Sequence, residues 1–198
     1  MEVIAAVAIG LNPYAGAFVV AALSAFSGRV PLGDFGTLVP SSVVALAAIL
    51  LGLAMPVDFV LGKFVRFAPS VRRVSQFVAP VAGAFFSASV SQSDLPLPLV
   101  ATGAAVVSWS IAAMLTSAAA RASRSAAWVG LGHIPVLMAA ATAAACIMPL
   151  GVAKPGIGLG LALIAASALL WSTLAGQRTA LATRREARRL GRQALATR

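Results

Sequence analysis

The stretch Val3–Gly28, VIAAVAIGLNPYAGAFVVAALSAFSG, runs for 26 residues without a charge. About 20 apolar residues in helix cross a bilayer core of roughly 30 Å, so this run is long enough to enter a membrane. As a single helix it would measure about 39 Å. It also carries its own break. Proline removes a backbone donor and clashes with the preceding turn, yet Pro at a first helical position behind an Asn cap starts a helix well. Asn12-Pro13 therefore predicts a half-helix, a break, and a second helix starting at Pro13. Only Met1 and Glu2 precede the run. It lacks a basic start and exceeds a signal core of roughly 7–15 residues, so it reads as a retained helix.

The rest of the chain has the same character. Of 198 residues, 60% are apolar and 10% charged, with mean hydropathy +0.96. A soluble domain has about 25% charged residues, which excludes a soluble globular enzyme and a disordered chain. Besides Val3–Gly28, the apolar stretches are Gly36–Met55, Phe77–Val90, Leu97–Ala120, Ile134–Leu150 and Gly156–Gly176. In lipid every backbone polar group must be satisfied internally. The expected fold is therefore all-α, a polytopic transmembrane bundle of about six spans. Phe77–Val90 is short, about 21 Å. It thins the membrane, borrows Val74–Gln76, or enters and turns back.

The fifteen Lys and Arg give a net charge of +10 against five acids. Thirteen of them lie after even-numbered spans, including Lys63, Arg66, Arg72, Arg73, Arg121 and Arg124; only Arg29 and Lys154 fall on the other side. The positive-inside rule then puts both termini in the cytoplasm. Val57 to Val74 has helical apolar spacing opposite Asp58, Lys63, Arg66 and Arg73, the pattern of a helix in the membrane plane, bent at Pro69. The tail gathers Arg178, Arg184, Arg185, Arg188, Arg189 and Arg192 on one helical face, which suits anionic lipid. No aromatic residue interleaves with it to stack on bases, so nucleic acid is not expected.

Asn-Pro-Tyr-Ala-Gly-Ala-Phe from Asn12 is matched by Ala-Pro-Val-Ala-Gly-Ala-Phe from Ala79. The shift also lays the second span on the fourth. Repeated helical hairpins follow, about 1–67 and 68–133, then a last hairpin 134–176 closing a transmembrane domain 1–176, with a basic tail 177–198. Short or Pro-interrupted segments at matching places point to a transport site. The candidate binding set is Asn12, Pro13, Tyr14, Gly16, Pro80 and Gly83. His133, alone before Pro135, reads foremost as an interfacial hydrogen-bonding residue and joins that set. Helix N-termini there would favour an anionic group. Small residues at four-residue steps, Ala104-Ser108-Ala112 and Gly158-Ala162-Ala166 beside Gly156-x-x-x-Gly160, predict close packing within the bundle.

Catalytic chemistry is not evident. The five acids lie at span ends or in loops, one cysteine (Cys146) excludes an intrachain disulfide, and no pattern holds a metal. No cofactor and no enzyme activity are expected.

Val57-Asp58, Phe64 to Arg73, Ala79-Pro80-Val81-Ala82-Gly83-Ala84 and Gly130-Leu131-Gly132-His133-Ile134-Pro135 together resemble an uncharacterised bacterial multi-pass membrane family, domain of unknown function number four-one-two-six. The resemblance covers roughly Ala8 to Gly176. It implies a membrane location and no activity. Gly62 and Lys63 stand where members tend to have a second Asp, and His133 where they tend to have Asn. The first functional expectation is a transporter-like or lipid-handling protein, with a dimer helping to complete a pathway. The alternative is a non-transporting scaffold or regulator acting through its basic face.

Overall fold

The computed structural model describes residues 1–24, 46–47, 49–57, 68–91, 95–125 and 134–196, with side chains for all of these except 68–72, 123–125, 134–135, 182 and 184–196. Every regular element among the described residues is helical: α1 Glu2–Leu11, α2 Pro13–Ala22, α3 (49–57), α4 Ala68–Ser89, α5 Leu97–Ser125, α6 Ile134–Ala153 and α7 Pro155–Ala196. Three helical stretches are long and apolar enough to cross a membrane: Leu97–Ala122, Val136–Ala153 and Pro155–Leu181. They match the fourth, fifth and sixth expected spans. Most of Gly36–Met55 lies outside the described residues, as do 58–67 of the expected in-plane helix, Arg29 and His133.

Helix α1 is the axis of the bundle. It is apolar all round, and a helix of that kind is buried all round. Ile4 to Leu11 are enclosed, with Ala5, Ala8 and Ile9 wholly buried. Around it pack α2, α4, α5, α6 and α7. The interior is rich in alanine, while large apolar side chains such as Phe77, Leu99, Ile164 and Trp171 point outward. That distribution suits lipid, where association rests on close van der Waals packing of small residues. The ladder Ala104-Ser108-Ala112 faces inward as expected.

The sixth-span glycines divide differently. A Cβ on Gly158 would stand 2.7 Å from the Gly151 nitrogen, whereas nothing lies within 4 Å of one on Gly156 or Gly160. The tight α6–α7 hairpin thus uses Gly158 and Ala162, and Gly156 and Gly160 face away. Gly158→Ala is expected to destabilise the folded protein by about 1–3 kcal/mol through overpacking. Gly160→Ala is expected to gain about 0.5–1 kcal/mol from helix propensity. Unfolding midpoints in mixed detergent read both.

Two further expectations change. α4 begins at Ala68 and runs unbroken through Pro80, about 33 Å in all. What reads as the end of an in-plane helix is the first two turns of this one, and the short third stretch borrows from it. Pro69 sits in the first turn, where a missing N–H costs nothing. α7 likewise continues from Pro155 to Ala196, so the arginine tail extends the last span instead of forming a separate helix.

Contacts also fix which ends lie together. Ser91 Oγ, just past α4, donates to Glu2 Oε1 at 2.6 Å. A Cβ on Gly151, close to Lys154, would touch Ile4. At the far end of α5, Arg121 Nη2 donates to Ser172 Oγ at 3.4 Å and lies against Gly176. Glu2 and Lys154 are therefore at one end, and Arg73, Arg121 and Arg178 at the other. Among the described residues Lys154 lies apart from Arg73, Arg121 and Arg178, and Glu2 lies with Lys154 and not with the arginines. The reason is the Asn12 break: α1 reaches only the middle of the bundle, so the first apolar run does not count as one straight crossing.

Candidate functional site

The α1–α2 elbow is set by one side chain. Asn12 is extended (φ −151°, ψ 108°), and its Oδ1 accepts from the backbone N–H of Tyr14 at 3.1 Å and of Ala15 at 2.9 Å. Its carbonyl accepts from Gly16 N–H at 2.8 Å. Pro13 has no N–H to satisfy. The expected break and restart at Pro13 are present. α2 then turns back against α1: a Cβ on Gly16 would stand 2.7 Å from the Ala8 carbonyl carbon and the Ile9 nitrogen. Two backbones meet there with no room for a side chain.

The elbow sits at mid-depth. A Cβ on Gly10 would touch Ile111 and the Ser108 backbone, and these residues are near the centre of the Leu97–Ala122 span. Ser108 is wholly buried and its Oγ donates to the Ala6 carbonyl at 2.9 Å. Gly83 of α4 packs directly on the same Oγ. Three helices meet at Ser108, through Gly10, Gly83 and the hydroxyl itself. The sequence signal for this hub was a single polar residue in an alanine ladder.

A hydrogen-bond ledger at the elbow gives its chemical character. In a continuous helix the carbonyls of Ile9, Gly10 and Leu11 would accept from residues 13, 14 and 15. Here residue 13 is proline, and the N–H groups of Tyr14 and Ala15 are held by Asn12. Among the described residues no other donor takes up these three carbonyls. They are buried, and no basic residue lies in the last turn of α1. By contrast the first free amides of α2 are all occupied. The elbow thus presents acceptors, not the donors an anion needs.

The remaining candidates fall elsewhere. Tyr14 is buried in the first turn of α2. Pro80 is part-buried and lines an apolar recess on the outer side of α4, with Val81, Ala84 and Leu97. The two matched prolines therefore do not share a conformation: Asn12 caps a new helix, and Ala79, lacking a side-chain oxygen, lets α4 run on. Arg178 is exposed, while the side chains of Arg184 to Arg192 lie outside the described residues. Because Pro80 breaks nothing, Pro80→Ala should leave any transport activity unchanged and raise the unfolding midpoint by restoring a helix bond. An inactive but folded Pro80→Ala protein would contradict this placement.

No family model, curated protein or solved structure matches the chain. Among the described residues, no three His, Cys, Asp or Glu side chains converge on a metal-sized site.

Proposed function

We propose that this is a transporter-like integral membrane protein of the bacterial inner membrane, with its basic end cytoplasmic, its first apolar run re-entrant instead of the first of six crossings, and its working site at the α1–α2 elbow. The observation that carries the reading is the trio of carbonyls of the buried residues Ile9, Gly10 and Leu11, without donors among the described residues and halfway through the bundle. Discontinuous helices with unwound carbonyls at the midplane suit cation coordination, and an unsatisfied buried acceptor costs about 1–3 kcal/mol. A small monovalent cation, or an ammonium group, would satisfy all three.

The test is flux. Full-length protein in vesicles is given radiolabelled sodium, rubidium or methylammonium. Saturable uptake of at least one is expected, lost in Asn12→Ala and kept when residues 178–198 are removed. In Asn12→Ala the Tyr14 and Ala15 N–H groups return to Gly10 and Leu11. Uptake equal to protein-free vesicles for all three cations would refute the reading.

A second reading, a non-transporting scaffold, is favoured by one feature: α7 runs on as helix past the end of its span at Leu181. It predicts no flux, and a cellular phenotype lost on removing residues 178–198 but not in Asn12→Ala.

A further inference from the structure

Arg73, on α4, is exposed and has no hydrogen-bond or ion-pair partner among the described residues. The same helical stripe continues at four-residue steps with Phe77, 76% exposed, Val81, 71%, and Phe85, 42%. Beside this ridge lies a recess of about 450 Å³, floored by Val78, Ala82 and Phe86 and lined almost wholly by carbon. The Phe85 and Phe86 rings, edge to face with centroids 5.1 Å apart, close its inner end.

The depth of Arg73 follows from α4. Gly83, ten residues further on, packs on Ser108 near the centre of the α5 span. At 1.5 Å per residue, Arg73 lies about 15 Å from that level. Half of a bilayer core is also about 15 Å. The guanidinium thus stands at the head-group boundary, at the same end as Arg121 and Arg178, and the recess beyond it occupies one leaflet. An arginine there, with no carboxylate partner among the described residues, pairs well with phosphate, by bidentate charge-assisted bonds. A zwitterionic head group already carries its own cation, so a net anionic one complements Arg73 better.

We propose that α4 carries a site for one anionic phospholipid, with its phosphate on Arg73 and one acyl chain in the recess between Phe77 and Phe86. This site is independent of the elbow and of the tail arginines.

Native mass spectrometry of the full chain, equilibrated with equal amounts of phosphatidylglycerol and phosphatidylcholine, tests it. One phosphatidylglycerol per chain is expected to survive activation that strips phosphatidylcholine. Arg73→Gln should weaken retention by about tenfold, the order of a lost charged hydrogen bond, and Arg73→Lys should weaken it less. Phe77→Ala, at an exposed position that leaves the fold intact, should also weaken it. Replacing Arg178, Arg184, Arg185, Arg188, Arg189 and Arg192 by glutamine should leave the retained lipid in place. Three outcomes would overturn the site: equal retention of both lipids, Arg73→Gln behaving as wild type, or a lipid-free dimer in which a second copy covers the recess.

Discussion

Gly16→Leu is expected to abolish the folded protein, and Gly16→Ala to cost it several degrees in unfolding midpoint. The obstruction is backbone on both sides. A Cβ at this position would stand 2.7 Å from the carbonyl carbon and oxygen of Ala8 and from the nitrogen of Ile9. No rotamer change relieves that contact; α2 must lift off α1. Overpacking in a well-packed core costs about 1–3 kcal/mol, and the larger side chain exceeds this because α1 is held by four other helices. Native proteins have only about 5–15 kcal/mol in all. Gly103→Leu is the control, since nothing lies within 4 Å of a Cβ there. Detergent-solubilised yield and unfolding midpoint separate the two. If Gly16→Leu folds as well as Gly103→Leu, α2 does not turn back on α1.

Ser108→Leu should be nearly as damaging, and Ser108→Ala mild. The hydroxyl donates to the Ala6 carbonyl at 2.9 Å, a bond worth about 0.5–1.5 kcal/mol net. Alanine forfeits that and nothing else, because it also fits between Gly10 and Gly83. Leucine must push into both glycines at once, so a loss of about 3 kcal/mol or more is expected. The contrast matters more than either value. Equal losses would mean that Ser108 acts through its hydrogen bond and not as the contact on which α1, α4 and α5 meet.

Much of this was legible in the residues. The long apolar runs at Leu97, Ile134 and Gly156 mark helices by hydropathy alone, because lipid leaves the backbone no other choice. Asn12-Pro13 announced its break, since an Asn oxygen beside a proline both removes a donor and supplies a cap. The inward ladder around Ser108 was visible in its spacing. Direction was not legible. Hydropathy counts a 26-residue run as a crossing, and only the backbone contact of Gly16 on Ala8 shows that the chain reverses at mid-depth. Composition matched Ala79-Pro80 to Asn12-Pro13, but the two differ in the one atom that caps a helix. Which helix end is left unpaired at the elbow was hidden for the same reason: it depends on where the Asn12 side chain points.

α1 enters from the end opposite the arginines and stops halfway. Single cysteines placed at Glu2, Lys154 and Arg178, in a Cys146→Ser background, test it with a membrane-impermeant maleimide on oriented vesicles. Glu2→Cys and Lys154→Cys should label from one side and Arg178→Cys from the other. Labelling of Glu2→Cys from the same side as Arg178→Cys would contradict the elbow, and with it the site built there.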